Sequence, residues 1–108
     1  MDKELINEDT CKGCHLAKRG SLDSLERRLG TVAKRVTQDC VVVAVKQPQD
    51  INESWTAYPV WGGSKAVMKY IEDSDIKHKP HEVIGYIKNE CYYSYRQRTM
   101  YDGHKILP

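Results

Sequence analysis

The run Cys40-Val41-Val42-Val43-Ala44-Val45-Lys46 constrains the fold of this chain more than any other stretch. It is short, rich in β-branched valine and apolar at successive positions, so both faces of an alternating strand would be hydrophobic. A strand of that kind belongs in the middle of a sheet, and the rest of the chain has to be arranged around it.

The segment before it predicts a helix. From Ser21 to Val36 the apolar residues Leu22, Leu25, Leu29, Val32, Ala33 and Val36 recur three, four or seven apart and so line one helical face. Arg27, Arg28, Lys34 and Arg35 take the opposite face. Gly20 interrupts the chain ahead of it, Ser21 suits the N-cap, Asp23 lies in the first turn and basic residues close the last, all as the helix dipole favours.

After the central strand, Gln47 to Ser54 reads as a polar loop, and Trp55 to Trp61 as a second strand that Pro59 confines to a sheet edge or a strand end. Gly62-Gly63-Ser64 opens a second helix reaching about Asp73, with Val67, Met68, Tyr70 and Ile71 available for burial. Its terminal acids oppose the dipole, so packing must hold it. The last third predicts a β-meander: a strand over 82–88, a tight turn at Asn89-Glu90, a longer strand from Cys91 to Tyr101, and a hairpin turn at Asp102-Gly103 into His104 to Leu107. The expectation is one α+β domain over residues 1–108, with a mostly antiparallel sheet of about five strands, two helices on one face, and residues 1–20 as an N-terminal arm.

At 108 residues, 40% hydrophobic and 30% charged, the composition is that of a globular domain, with no 18-residue apolar run to span a bilayer. The N-terminus lacks the basic and apolar regions of a secretory signal, so the chain reads as cytoplasmic, where thiols stay reduced. Four cysteines are then better suited to metal binding, redox chemistry or burial than to a disulfide framework.

The arm carries Cys11-Lys12-Gly13-Cys14-His15. Thiols at this spacing can chelate one metal ion, and Gly13 lets the backbone turn so that both sulfurs face one point. A tetrahedral zinc site would need two further ligands from a distance, and His78 and His81, on a proline-stiffened loop, supply them by sequence. His15, Cys40, Cys91 and His104 are substitutes. A zinc finger or ribbon does not fit, because no second Cys-x-x-Cys follows roughly 12 to 20 residues on.

The same five residues resemble the haem-attachment motif of c-type cytochromes. That resemblance implies thioether bonds from Cys11 and Cys14, His15 as one axial ligand, and Met68 or Met100 as the other. The β-branched strand and the meander are foreign to that all-helical fold. A thiol oxidoreductase of the thioredoxin kind is a third reading of Cys-x-x-Cys, although such a fold needs a strand ahead of the motif and a helix starting at it. His81-Glu82 does not extend to a metalloprotease motif, since Gly85 stands where the second histidine belongs.

Two surfaces remain. The aromatic residues are seven Tyr and two Trp with no Phe, so each ring carries a polar handle of the kind enriched at wet binding surfaces. Strict alternation from Cys91 would put Cys91, Tyr93, Tyr95 and Tyr101 on one face, with Tyr92, Arg96, Arg98 and Met100 on the other. Charge is also uneven, with four acids against one lysine in residues 1–10 and seven basic residues against two acids in residues 11–35. These features lead to the expectation of a small non-catalytic protein that docks on a larger protein or protein-nucleic-acid assembly and modulates or inhibits it. Tyr92, Arg96, Arg98, Trp55 and Trp61 are the contact candidates. Direct nucleic-acid binding through Arg27, Arg28, Lys34 and Arg35 is the alternative.

Overall fold

The valine run takes the place its composition demands. In the computed structural model, which describes residues 5–8, 15–46, 54–73 and 76–101, Cys40–Lys46 forms β2 at the centre of a six-stranded antiparallel sheet. The other strands are β1 (Ala17–Gly20), β3 (Trp55–Val60), β4 (His81–Lys88), β5 (Cys91–Ser94) and β6 (Thr99–Tyr101), in the order β1-β3-β2-β4-β5-β6. The helices are α1 (Leu22–Val32), continued by a 3-10 turn over Ala33–Arg35, and α2 (Gly63–Asp73). All the described strands belong to this one sheet, as an α+β domain requires.

Alternation along β2 separates two cores. Val42 and Ala44 pack with Leu25, Leu29 and Ala33 of the first helical segment, whereas Val43 and Val45 pack with Val60, Ile76 and the half-buried Ala66, Val67 and Tyr70 of α2. The helices therefore cover opposite faces, which corrects the expectation of two helices on one face. A strand apolar on both sides needs a layer on each, and each helix supplies one. Leu25 and Leu29 are fully buried, contributing about 2 kcal/mol apiece.

Local chemistry sets the element ends. Ser21 caps α1, its Oγ accepting from the Ser24 amide at 3.2 Å. Pro59 pairs with Val42 in β3, and β1 runs alongside only as far as Ala57, so among the described residues the proline falls where one edge of β3 has no strand neighbour. Asn89 and Glu90 both take positive φ, as a two-residue hairpin turn requires.

The structure departs from the sequence reading at two strands. β1 is a sixth strand, four residues long with two exposed cations, whose polar run gave no alternation to read. The expected long strand from Cys91 to Tyr101 instead folds back on itself. β5 stops at Ser94, residues 95–98 turn with Arg98 at φ 53°, and β6 pairs back through Tyr92↔Tyr101 to Ser94↔Thr99. The Asp102-Gly103 turn and the strand expected after it lie outside the described residues.

Candidate functional site

Glu26 occupies a core position. It lies one turn from Leu22, Leu29 and Gly30 on α1 and is completely buried, which would be costly for an unpartnered carboxylate. Four side chains answer it. Oε2 accepts from the Tyr92 hydroxyl at 2.5 Å and from the Ser94 hydroxyl at 2.6 Å; Oε1 accepts from the Arg96 guanidinium at 2.8 Å and from the Gln97 amide at 3.2 Å. The Ser94 oxygen in turn accepts from the Gln97 backbone N–H at 3.0 Å, closing the 95–98 turn. Arg96 also reaches Asp23 at 3.1 Å and Glu82 at 3.7 Å. Burial alone would lower the pKa of the Arg96 guanidinium, but the hydrogen bonds it donates to the Asp23 and Glu26 carboxylates outweigh that and hold it above its ordinary value. The network ties the β5–β6 turn to α1.

This network corrects the expected contact surface. Tyr92 is fully buried against α1, and Arg96 spends its guanidinium on three carboxylates, so neither stands on an open sheet face. The alternation holds from Cys91 to Ser94 and fails beyond, where the chain turns and Tyr92 pairs with Tyr101; the face that α1 covers also differs from the expected one. Arg98 is exposed in the turn. Trp55 and Trp61 are half-buried against the α1 core, and the Trp61 indole donates to the Gln38 carbonyl at 3.2 Å.

The opposite face holds the open aromatic surface. Tyr86 and Tyr93 face each other across β4 and β5 and stack with centroids 4.9 Å apart and planes within 10°. Tyr95 tilts against Tyr86 at 5.5 Å and is 53% exposed. The two strand tyrosines are half-buried. The helix on this face, α2, packs over Val43, Val45 and Val60 and has no fully buried residue of its own. Beside the rings lies a cleft of ≈ 320 Å³ lined by Val41, Gly63, Tyr86 and Tyr95, with Asp39 and Lys88 at it. Tyr95 was assigned to this face by alternation; the importance of Tyr86 follows only from the cross-strand register.

Of the four proposed metal ligands, the described residues include only His78 and His81. Cys11 and Cys14 lie outside the described residues. His15 is exposed two residues ahead of β1, and His81 opens β4. The His81 ring is half-buried with Nδ1 2.8 Å from the Lys79 carbonyl, and His78 is exposed. Among the described residues no three His, Cys, Asp or Glu side chains converge as a metal site. Cys40 is buried, and burial, with Asp39 adding to it, pushes its thiol up to about 12, so it stays protonated and is a poor ligand or nucleophile. Burial likewise raises Tyr70 to about 12, with Tyr58 adding to it.

The basic helix face divides too. Arg27 and Lys34 are exposed and Arg35 is half-buried, whereas Arg28 leans onto β1 and donates to the Lys18 and Arg19 carbonyls at 2.8 and 3.2 Å. No described helix is long and apolar enough to cross a membrane. Comparison of the whole chain with protein-family models, with curated proteins and with solved structures gave no match.

Proposed function

We propose that this chain is a small binding protein, without chemistry of its own, that docks on a larger protein or protein-nucleic-acid assembly and modulates or inhibits it. The observation that carries this reading is the set Tyr86, Tyr93 and Tyr95 on the half of the sheet that, among the described residues, no helix covers. Tyrosine brings large contact area with only two side-chain torsions to fix, and its hydroxyl tolerates water before the partner arrives. Stacking fixes two of the rings in advance, so little ordering cost is left for binding. The neighbouring cleft supplies a concave apolar floor between Asp39 and Lys88, the arrangement of a desolvated centre inside a polar rim. Zinc is not needed for this reading, because the rings are held by β4 and β5.

The test is capture of one partner by purified, folded variants. Wild type and Arg27→Glu retain the same partner from a host extract, and Tyr86→Ala and Tyr95→Ala lose it. Titration of the isolated partner then gives at least about tenfold weaker binding for each tyrosine variant. Retention of that partner by both tyrosine variants at wild-type affinity overturns the reading.

A further inference from the structure

A second surface lies on the other side of the molecule. Between β1 and α1 runs an open groove of ≈ 510 Å³ whose polar lining is His15, Lys18, Arg27, Arg28 and Thr31. We propose that this groove binds the phosphodiester backbone of duplex nucleic acid without reading its sequence.

One of the cations here is held in place by the backbone of β1. Arg28 is held by the Lys18 and Arg19 carbonyls, which fix the guanidinium plane while leaving its charge intact. Gly20 makes that position available, since a Cβ there would stand 2.5 Å from Arg28 Nη2. Asp23, one turn before Arg27 on α1, and the buried Glu26 are both engaged by Arg96 from the β5–β6 turn. Among the described residues no carboxylate pairs with Lys18, Arg27 or Arg28. The acids of α1 thus share Arg96 on the side towards β5, while Arg28 leans towards β1.

The shape of the array selects the ligand. Lining the groove, Lys18 of β1 and Arg27, Arg28 and Thr31 of α1 make a row of three cations and a hydroxyl. A repeated anion can engage such a row at several points, where a single phosphate would engage one. Among the described residues the only ring in the lining is the His15 imidazole, so the groove lacks the run of rings on which successive unpaired bases stack and the Tyr or Trp anchor that centres most protein interfaces. Guanidinium and ammonium groups beside a hydroxyl are backbone contacts, which position a duplex and carry no base readout. This surface is independent of the tyrosine face, so either can fail alone.

Fluorescence anisotropy of the full chain with a labelled duplex of about 20 base pairs tests the proposal. With three phosphates engaged, affinity falls about 40-fold between about 50 and 200 mM salt, a log-log slope near −2.7. Duplexes of different sequence bind alike. Lys18→Glu and Arg27→Glu, both at exposed positions, each weaken binding and lower the slope magnitude by about 1, while Tyr95→Ala leaves both unchanged. Circular dichroism confirms that the variants are folded. The proposal is overturned by any of four results: no binding at the lowest salt, binding insensitive to Lys18→Glu and Arg27→Glu, preference for a single strand of the same length, or capture of an acidic phosphopeptide in place of the duplex.

Discussion

The two faces of the sheet solve the same burial problem by opposite means. Under α1 the sheet is sealed, and the seal includes a carboxylate whose four donors come from Tyr92 and Ser94 on β5 and from the turn that follows. Under α2 the cover stops short, and the rest of the face carries tyrosines that stack on one another and leave Tyr95 half-exposed. A buried charge works only when every partner is in place, so the α1 face fixes one arrangement of the β5–β6 turn. Rings with hydroxyl groups accept either water or a partner, so the other face can stay open.

Breaking the sealed face has the largest expected effect. Glu26→Ala removes the acceptor for four donors, leaving the Tyr92 hydroxyl only its longer contact with the Ile84 carbonyl at 3.2 Å, at an expected loss of about 3–5 kcal/mol by urea denaturation. A loss below about 1 kcal/mol would mean that the network does not hold the face together.

Next comes Gly85, in the buried part of β4. Opposite β2 the register steps from Gly85 to Val83, leaving Ile84 as an extra residue, so that Ile84 and Ile87 both enter the α1 core. A Cβ at Gly85 would stand 2.1 Å from the Tyr93 carbonyl oxygen and 2.8 Å from the Tyr92 ring. Backbone cannot retreat as a flexible side chain can, so Gly85→Ala is expected to cost about 1–3 kcal/mol. A melting temperature equal to wild type would show that the bulge has slack. Tyr92→Phe is gentler: it keeps the ring and removes one donor, leaving Glu26 three, and should cost about 1.5 kcal/mol in the same denaturation measurement.

These sites mark where the sequence was legible. Cys40–Lys46 as the central strand, the α1 stripe with its Ser21 cap and the Asn89-Glu90 turn all follow from local rules, because propensity, periodicity and turn chemistry agree there. Placement of α2 did not follow, since an apolar-both-sides strand says that two layers exist but not which helix forms which. The polar network also escaped, although its signal was present. Glu26 falls at the three- and seven-residue spacings that place Leu29 and Ala33 in the core, and a charge at a core position asks for a partner. What periodicity could not supply was that partner, because Arg96 and Gln97 lie about seventy residues away and arrive only through the turn at 95–98. Strict alternation hid this turn: it carried the β5 pattern through Tyr95 to Tyr101, whereas the strand ends at Ser94.

The smallest effect is expected at Tyr95, and it separates the two faces most cleanly. Its ring contributes a tilted contact with Tyr86 and little burial, so Tyr95→Ala should change stability by no more than about 0.5 kcal/mol. Tyr86 sits between Tyr93 and Tyr95, and its truncation removes both ring contacts, so Tyr86→Ala should cost about 1 kcal/mol more than Tyr95→Ala. Thermal melts of the two variants and the double variant give the coupling. If Tyr95 and Tyr86 stabilise only one another, the double variant loses little beyond Tyr86→Ala. If Tyr95→Ala alone costs as much as Tyr92→Phe, the open face is as much a part of the core as the sealed one, and the rings are held for stability and not kept free for a partner.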